Sequence, residues 1–193
     1  MPEFTSDWFS HAIPHWDQFL RPLTLRGEPL NILEIGSHEG RSTLWLLDNL
    51  CNHQKTRLTC IDPWGKSEYE RRFDANVAES RNRNKMQKIK GYSGVELRRL
   101  PIDEFESLDL VYVDGSHEGC DCLRDGVLTF PMLKVGGLMV FDDYLWNGAH
   151  RYHTPKPAID AFLLLWDFQI DVLHHDYQVI ARKKTRPFFS PGG

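Results

Sequence analysis

The chain has 193 residues, of which 41% are hydrophobic and 26% charged, a composition typical of a globular domain with a full core. Its formal net charge of −4 gives no indication of a nucleic-acid-binding surface. Residues 1–16 contain acids and no continuous apolar run, so we expect no signal peptide, and no stretch is long enough to span a membrane. The four cysteines form no CxxC pair, which favours reduced thiols and a cytoplasmic protein.

The first segment, residues 1–25, is predicted to be a helical cover with one apolar face. Pro14 interrupts the apolar pattern, so we expect two short helices or a kinked helix. The apolar side chains are Phe4, Trp8, Phe9, Ala12, Ile13, Trp16, Phe19 and Leu20. We expect this face to pack on the sheet, and its aromatic residues are also candidates to cover a substrate pocket or to form a homodimer interface.

Apolar runs of strand length then alternate with amphipathic segments of helical length. Predicted strands cover 31–36, 57–62, 86–90, 108–114 and 138–141, and a closing hairpin covers 169–173 and 177–181. Predicted helices cover 41–50, 67–84, 93–100, 117–133 and 157–168. Continuous apolar strands between helices predict an α/β fold with a doubly wound, mostly parallel sheet and an antiparallel C-terminal hairpin. The Gly136-Gly137 pair is expected to form the turn into the fifth strand.

A glycine-containing loop, LEIGSHEGRST at 33–43, follows the first strand and opens a helix, which is where doubly wound sheets bind ligands. Gly36 and Gly40 suit positive φ angles and a close approach of the backbone. A dinucleotide fold would carry GxGxxG to hold a pyrophosphate, whereas this loop has GxxxG behind Glu34. A carboxylate here would repel a pyrophosphate and suits a positive centre, which favours S-adenosylmethionine over NAD.

Residues that follow the second and third strands are candidates to bind the rest of such a cofactor. Asp62 ends the second strand about 20 residues beyond the glycine loop, where an acid holds a ribose diol. The alternative is that Asp62 is only a turn or capping residue. Gly91 and Ser93, after the third strand, are weaker candidates to border the adenine.

Two adjacent carboxylates end the fifth strand in LMVFDDYLW, 138–146. Asp142 and Asp143 would repel each other, and burying them is costly without compensation. Asp114 ends the fourth strand, which should be the neighbour of the fifth, so the three acids are expected to converge. A cluster of carboxylates suits a hard divalent cation, and we therefore predict a Mg²⁺ site. Alternatively, Asp142 caps a turn and Asp143 faces solvent.

With these residues in place, the chain resembles class I S-adenosylmethionine-dependent methyltransferases, and among them the small bacterial group related to macrocin-type and caffeoyl-CoA-type O-methyltransferases. The resemblance covers about 30–182 and rests on Glu34, Gly36, Gly40, Ser42, Asp62 and the segments 114–117, 131–137 and 141–144. It implies a Rossmann-like, seven-stranded sheet and Mg²⁺ bound by acids after the fourth and fifth strands. We expect one methyltransferase domain, 1–193, with the helical cover at 1–25, the core fold at 30–182 and a tail at 183–193.

The expected site follows from the motifs and the resemblance together. The cofactor-contacting residues are predicted to be Glu34, Gly36, Ser37, Gly40, Ser42, Asp62, Pro63, Trp64, Gly91, Ser93, Asp114 and His117. The predicted metal ligands are Asp114, Asp142 and Asp143. Where macrocin-type relatives carry a second acid as the base, this chain has Ser116 and then His117, so His117 is the expected base and Asp114 the second catalytic residue. Weaker candidates for the pocket are His38, His150 and His153.

The expected reaction is methyl transfer from the sulfonium to a hydroxyl of a small-molecule acceptor, assisted by a metal that lowers the pKa of the hydroxyl. One alternative is a metal-independent N- or O-methyltransferase in which Asp142 and Asp143 bind the substrate. Another is a protein that binds S-adenosylmethionine without turnover. An NAD oxidoreductase is disfavoured by Glu34 and by the missing GxGxxG.

Overall fold

The structure is a computed structural model that describes residues 1–100, 106–148 and 153–185. Among the predicted features, His150 and the tail from 186 onward lie outside the described residues. None of the described helices is long and apolar enough to cross a membrane. All four cysteines are free.

The described residues form the alternating helices and strands that the sequence predicts. The strands are β1 (Asn31–Ile35), β2 (Arg57–Asp62), β3 (Met86–Lys90), β4 (Leu108–Val113), β5 (Leu133–Phe141), β6 (Ile170–His175) and β7 (Val179–Lys183). The α-helices are α1 (Ile13–Phe19), α2 (Arg41–Asn49), α3 (Ser67–Ala78), α4 (Ser93–Glu96), α5 (Gly119–Thr129) and α6 (Lys156–Leu165). Several predicted helices were too long, because their last turns are separate 3₁₀ turns, as at Arg83–Lys85 and Phe130–Met132.

The seven strands form one sheet in the order β3-β2-β1-β4-β5-β7-β6. Strands β1, β2 and β3 pair in parallel, as do β4 and β5. Strand β7 is antiparallel to both β5 and β6. The predicted α/β fold, a mostly parallel sheet with an antiparallel C-terminal hairpin, is therefore confirmed.

The chain divides into two compact units, Met1–Arg99 and Leu100–Gly193. Each unit buries its own large side chains. In the first unit these include Trp16, Leu46 and Phe73, and in the second they include Tyr112, Phe141 and Phe162. Burying each of these side chains contributes about 1.5–3 kcal/mol, so every unit has a substantial core.

The N-terminal cover of the first unit is helical, as predicted. A 3₁₀ turn precedes α1, and Pro14 lies in the first turn of α1, where its missing N–H costs no hydrogen bond. Pro14 therefore begins the helix and does not kink it. Trp16 is fully buried and packs edge-on against Trp45 of α2, with ring centroids 5.0 Å apart. Trp8 remains 69% exposed.

An extended N-terminal strap, residues 3–7, is tied to the first unit by polar contacts. The backbone N–H of Glu3 donates to Asn76 Oδ1 at 2.7 Å, and Asn76 Nδ2 donates back to the Glu3 carbonyl at 2.9 Å. Both the N–H and the hydroxyl of Thr5 donate to the Glu39 carboxylate, at 2.7 and 2.9 Å. Arg72 adds an ion pair to Glu39 at 3.0 Å. The strap is thus held through Glu39, in the loop after β1.

The glycine pair of the second unit lies inside β5 and does not form the predicted turn before it. The pairing of β4 with β5 shifts from Leu108–Leu133 to Leu110–Leu138, which places a bulge in β5. Gly136 lies in this bulge with a φ of 82°, a left-handed conformation that only glycine adopts without strain. The prediction of a turn was wrong because a glycine pair signals positive φ but does not distinguish a bulge from a turn.

Replacing Glu39 by Gln should destabilise the first unit at neutral pH and much less in acid. Burial opposes ionisation of Glu39, but the hydrogen bonds from Thr5 and the charges of His38 and Arg72 outweigh it and hold its pKa below the usual 4.5. A depressed carboxyl pKa contributes stability above the unfolded pKa, and this contribution is lost as the pH falls through the folded value. We expect Glu39→Gln to cost about 1–3 kcal/mol near pH 7.

The measurement is the free energy of unfolding in urea of the unaltered protein and of Glu39→Gln, at several pH values between about 7 and 3. The matched control is Glu28→Gln, which neutralises an exposed carboxylate. A destabilisation by Glu39→Gln that persists unchanged at the acid end would show that the charge of Glu39 does not hold the strap.

Candidate functional site

The loop between β1 and α2, residues 36–40, has the backbone that the two glycines predicted. Gly36 and Gly40 have φ angles of 86° and 85°. The N–H of Gly36 donates to the carbonyl of Ile61 in β2 at 2.9 Å, which anchors the start of the loop. A Cβ on Gly40 would lie 3.1 Å from Cδ2 of Phe73. Positive φ and close packing therefore both require glycine at position 40.

Glu34 lies under this loop and is completely buried. Its two carboxylate oxygens accept hydrogen bonds from the hydroxyls of Ser37, Ser42 and Thr43, at 2.7, 2.6 and 2.5 Å. Burial raises the pKa of Glu34, and these hydrogen bonds partly offset that effect. The carboxylate joins the loop to the first turn of α2 and is closed to solvent. The expectation that Glu34 contacts a positive centre of the cofactor is corrected accordingly.

Asp62 holds the same loop from the end of β2. Its Oδ2 accepts the backbone N–H groups of Ser37 and His38, both at 2.9 Å, and its Oδ1 accepts the N–H of Trp64 at 2.6 Å. A carboxylate offers about four acceptor positions, so one position on Oδ1 remains for a ligand hydroxyl. The capping role that sequence left as an alternative is present, and it is compatible with the predicted ribose contact.

Trp64 is a core residue of the first unit. It is 2% exposed, its Nε1 donates to the His38 carbonyl at 2.8 Å, and its ring lies 4.7 Å from that of Phe73. Lys88 Nζ lies 4.7 Å from the centre of the Trp64 ring. The predicted contact of the Trp64 side chain with the cofactor is therefore not available in this arrangement. Pro63 beside it is exposed.

The side chain of Glu96 lies against the backbone of Gly91, just after β3. A Cβ on Gly91 would lie 2.5 Å from Glu96 Oε1, so the glycine leaves room for this side chain. Ser93 is the first residue of α4, whose N-cap is Tyr92, and it is not the cap that the sequence suggested. A role of Gly91 and Ser93 beside the adenine stays a prediction.

An aromatic cluster borders the loop in the first unit. The His38 ring lies 5.4 Å from that of Trp8 and 4.4 Å from that of Tyr69. His38 has a φ of 44°, which is strained for a residue with a side chain. The loop therefore presents an imidazole between two aromatic rings, one of which, Trp8, is largely exposed.

In the second unit, the parallel pairing of β4 and β5 brings the three predicted acids to one end of the two strands. Val113 is paired with Phe141, and the N–H of Asp142 donates to the Val113 carbonyl at 3.0 Å. Asp114 follows β4 directly, and Asp142 and Asp143 follow β5. The convergence expected from the sequence is present, but the three carboxylates have different surroundings.

Asp142 is buried and its carboxylate is occupied by internal donors. Its Oδ2 is contacted by the hydroxyl of Tyr112 and accepts Nε2 of Gln178 at 2.6 Å, while its Oδ1 accepts the Asp143 N–H at 2.7 Å. Burial and then the charge of Asp143 raise the pKa of Asp142. Asp142 is therefore a structural carboxylate.

The group of described side chains able to share a metal ion consists of Asp114, His117 and Asp143, whose ligand atoms all lie within 4.8 Å of one another. Asp142 is not part of this group, and His117 takes the place that the sequence assigned to Asp142. The predicted metal role of Asp142 stays a prediction, because an adjacent pair of acids does not reveal from the sequence which one points inward. Two carboxylate oxygens and one imidazole nitrogen are a donor set that fits a divalent cation.

His117 is held by two neighbours. Its Nε2 lies 2.8 Å from Asp143 Oδ2, and its ring centroid lies 4.5 Å from that of Trp146. The hydrogen bond with Asp143 raises the pKa of His117, against the opposing effect of partial burial. The side chain is 49% exposed, so the imidazole is open to a ligand.

Two tyrosine hydroxyls orient the carboxylates of this cluster, and sequence reasoning missed both. The Tyr112 hydroxyl lies 2.9 Å from Asp114 Oδ2 and also contacts Asp142, so the two carboxylates share its single proton, and Tyr177 donates to Asp143 Oδ1 at 3.1 Å. The sequence could have indicated Tyr112, because it lies two positions before Asp114 and alternate residues of a strand point to the same face of the sheet. No comparable signal marks Tyr177, which reaches Asp143, or Gln178, which reaches Asp142, from the turn between β6 and β7.

A family model described as a methyltransferase domain matches residues 33–144, which include the glycine loop, Asp62 and all three acids. The chain belongs to the methyltransferase-domain family. This membership confirms the predicted resemblance and replaces the NAD oxidoreductase alternative.

The chain is also similar to individual proteins. It is 28% identical over 123 residues to uncharacterized protein R132 of Acanthamoeba polyphaga mimivirus, a match that covers 63% of this chain and 54% of that protein. The chain thus spans about half the length of the curated relative it matches. It resembles the O-methyltransferase TomG from Streptomyces achromogenes in complex with S-adenosylmethionine, with a TM-score of 0.69, 18% identity and coverage of 89% and 80% of the two chains.

A third similar structure is the MycE methyltransferase of the mycinamycin biosynthetic pathway, in complex with Mg, S-adenosylhomocysteine and mycinamycin VI. The TM-score is 0.65 at 17% identity, and the match covers 95% of this chain and 54% of MycE. These likenesses show that the fold is that of class I methyltransferases.

Replacing Gly40 by Ala should destabilise the protein more than the same change at Gly27. Both glycines have positive φ, but a Cβ on Gly27 meets nothing within 4 Å, whereas one on Gly40 lies 3.1 Å from Phe73. The left-handed conformation costs about 1–2 kcal/mol in either variant, and overpacking adds about 1–3 kcal/mol at Gly40 alone. The free energies of unfolding in urea measure the difference; equal losses would mean that the loop shifts to accept the methyl group.

Replacing Glu34 by Ala and by Gln should give different losses of stability. Ala leaves three buried hydroxyls without their acceptor and opens a cavity, so we expect a loss of about 2–4 kcal/mol. Gln keeps one oxygen that can accept hydrogen bonds, and its NH₂ group can donate to the hydroxyl oxygens. We therefore expect a loss of about 1 kcal/mol or less. Chemical denaturation measures both. If Gln were as damaging as Ala, the negative charge itself would be required, and positioning of the loop would not explain Glu34.

Proposed function

We propose that this protein transfers a methyl group from S-adenosylmethionine to a hydroxyl of a small-molecule acceptor, with the help of a divalent cation such as Mg²⁺. The observation that carries the proposal is the Asp114–His117–Asp143 cluster at the ends of β4 and β5, in a chain of the methyltransferase-domain family. The S-adenosylmethionine in TomG and the Mg in MycE support the proposed cofactors.

In this proposal the first unit binds the methyl donor at the loop between β1 and α2. Gly36 and Gly40 allow the backbone to approach the donor, and the open position on Asp62 Oδ1 accepts a ribose hydroxyl. Glu34 contributes indirectly, because it fixes the loop through Ser37 and the start of α2.

The second unit holds the acceptor. Asp114, His117 and Asp143 would hold the cation, which when bound lowers the pKa of the acceptor hydroxyl and orients its oxygen. Asp114, already positioned by Tyr112, is the carboxylate proposed to take part in removing the proton. Trp146, whose ring lies beside that of His117 at an angle of 35°, offers a flat apolar surface to an aromatic or hydrophobic acceptor.

A second candidate is a metal-independent methyltransferase acting on oxygen or nitrogen, and one observation favours it. Asp143 orients His117 and raises its pKa, which is the arrangement of a general base held by a carboxylate. In that reaction His117 would take the proton directly, whereas the sequence analysis expected it to be the base of the metal-assisted reaction. A protein that binds the donor without turnover is the third candidate. The predicted homodimer and the predicted lack of nucleic-acid and membrane partners stay predictions.

Calorimetric titration separates these candidates. S-adenosylhomocysteine is titrated into EDTA-treated protein, and a catechol probe is then titrated with and without Mg²⁺. We expect the cofactor product to bind in both conditions and the catechol to require Mg²⁺. Asp143→Asn should abolish the Mg²⁺-dependent step while S-adenosylhomocysteine still binds, because Asn keeps the size of the side chain but loses its charge.

The control is Asp121→Asn, which alters a partly exposed acid of α5 paired with Arg124. Catechol binding that ignores both Mg²⁺ and Asp143→Asn would favour the metal-independent enzyme. Failure of S-adenosylhomocysteine to bind would refute the proposed function altogether.

A further inference from the structure

We propose that His117 is a metal ligand through Nε2, and that the Asp114–His117–Asp143 cluster is a mixed nitrogen–oxygen site that selects first-row transition dications over Mg²⁺. This inference rests on the metal-assisted form of the proposed function and specifies which cation the site takes. It assigns His117 a different task from that of general base.

The first argument is the position of the imidazole. Its Nε2 faces Asp143 Oδ2 at 2.8 Å, and each of these two side chains has a ligand atom within 4.8 Å of a carboxylate oxygen of Asp114. Adjacent ligand atoms of an octahedral ion with bonds of about 2.1 Å lie about 3 Å apart, so the pair already has the spacing of neighbouring ligands. A cation bound there would displace the proton that Nε2 and Asp143 share.

The second argument is that the remaining acid is already satisfied. Tyr112, Gln178 and the N–H of Asp143 all contact the Asp142 carboxylate, which is 7% exposed. Asp142 could bind a cation only by giving up these donors in a buried place, at the cost of leaving them unpaired. A third protein ligand beside Asp114 and Asp143 must therefore be a residue other than Asp142, and His117 is close enough to both acids.

The third argument is that the surroundings fix the three donors. Trp146 lies against the His117 ring, the Tyr112 hydroxyl is shared between Asp114 and Asp142, and Tyr177 donates to Asp143. Outer partners of this kind hold metal ligands in place and contribute to affinity. The positive φ of Asp143, 59°, is a strained conformation maintained at the centre of this arrangement.

The fourth argument is the chemistry of the donors. Mg²⁺ prefers oxygen ligands only and keeps much of its water, whereas imidazole nitrogen suits Mn²⁺, Fe²⁺, Co²⁺ and Zn²⁺. One nitrogen among two carboxylates therefore shifts the preference toward a transition ion. The half-exposed ring of His117 leaves coordination positions open for water and for an acceptor oxygen.

The test is metal titration of EDTA-treated protein by calorimetry, with Co²⁺ and Mg²⁺ as probes and the visible absorption of Co²⁺ as a second readout of coordination. We expect one Co²⁺ per chain, bound roughly tenfold or more tightly than Mg²⁺. His117→Ala should weaken Co²⁺ about 10- to 100-fold, change Mg²⁺ less and remove most of the preference. His117→Asp, which supplies an oxygen, should bind Mg²⁺ without restoring the preference for Co²⁺.

The matched control is His153→Ala. His153 is 51% exposed, close to the 49% of His117, and also contacts an acid, Glu118, but it lies outside the cluster. His153→Ala should leave the affinities for Co²⁺ and for Mg²⁺ unchanged. An unchanged Co²⁺ to Mg²⁺ ratio in His117→Ala, or the absence of binding by either ion, would overturn the inference.

The same samples are titrated with S-adenosylhomocysteine, which separates this inference from the proposed function. Binding of S-adenosylhomocysteine together with a ratio independent of His117 would sink only the assignment of His117. A preference that depends on His117, without binding of S-adenosylhomocysteine, would establish the metal site and refute the methyltransferase function.

Discussion

Each half of this protein depends on a buried carboxylate at the end of a strand, which must find donors because burial without them costs several kcal/mol. In the first unit, Glu34 finds three hydroxyls, and by accepting them it fixes the loop after β1 and the first turn of α2. In the second, Asp142 finds Tyr112, Gln178 and a backbone N–H. Both acids have raised pKa values, caused mainly by burial, so each depends on its donors for stability.

Carboxylates after strands also hold two residues that have left-handed backbones. Trp64 and Asp143, with φ angles of 40° and 59°, lie two and one residues beyond Asp62 and Asp142. In each case the acid accepts the N–H of the strained residue itself, at 2.6 and 2.7 Å. The acid therefore stabilises the backbone conformation of the residue that follows, which is a core residue at Trp64 and a member of the Asp114–His117–Asp143 group at Asp143.

Most strand positions were predictable from the sequence because apolar runs reflect burial directly, and β2 matches its predicted bounds residue for residue. Strand β3 also matches, although three of its five residues are polar and none is buried. Glycine positions were predictable as sites of positive φ at Gly36 and Gly40, but Gly136 showed that the same signal does not distinguish a turn from a bulge. The convergence of the acids after β4 and β5 was predictable, but the composition of the Asp114–His117–Asp143 group was predictable only in part. The sequence did not reveal that Asp142 points to internal donors while His117 lies beside Asp143, because side-chain direction after a strand depends on tertiary contacts that the local sequence does not contain.

The two adjacent acids that follow β5 therefore have different surroundings. Asp142 is enclosed, and its carboxylate forms hydrogen bonds with the Tyr112 hydroxyl and with Nε2 of Gln178. Asp143, turned outward by its left-handed backbone, keeps its second oxygen toward His117. Because Asp142 is held by these internal donors, the group that we propose to hold a cation consists of Asp143, Asp114 and His117.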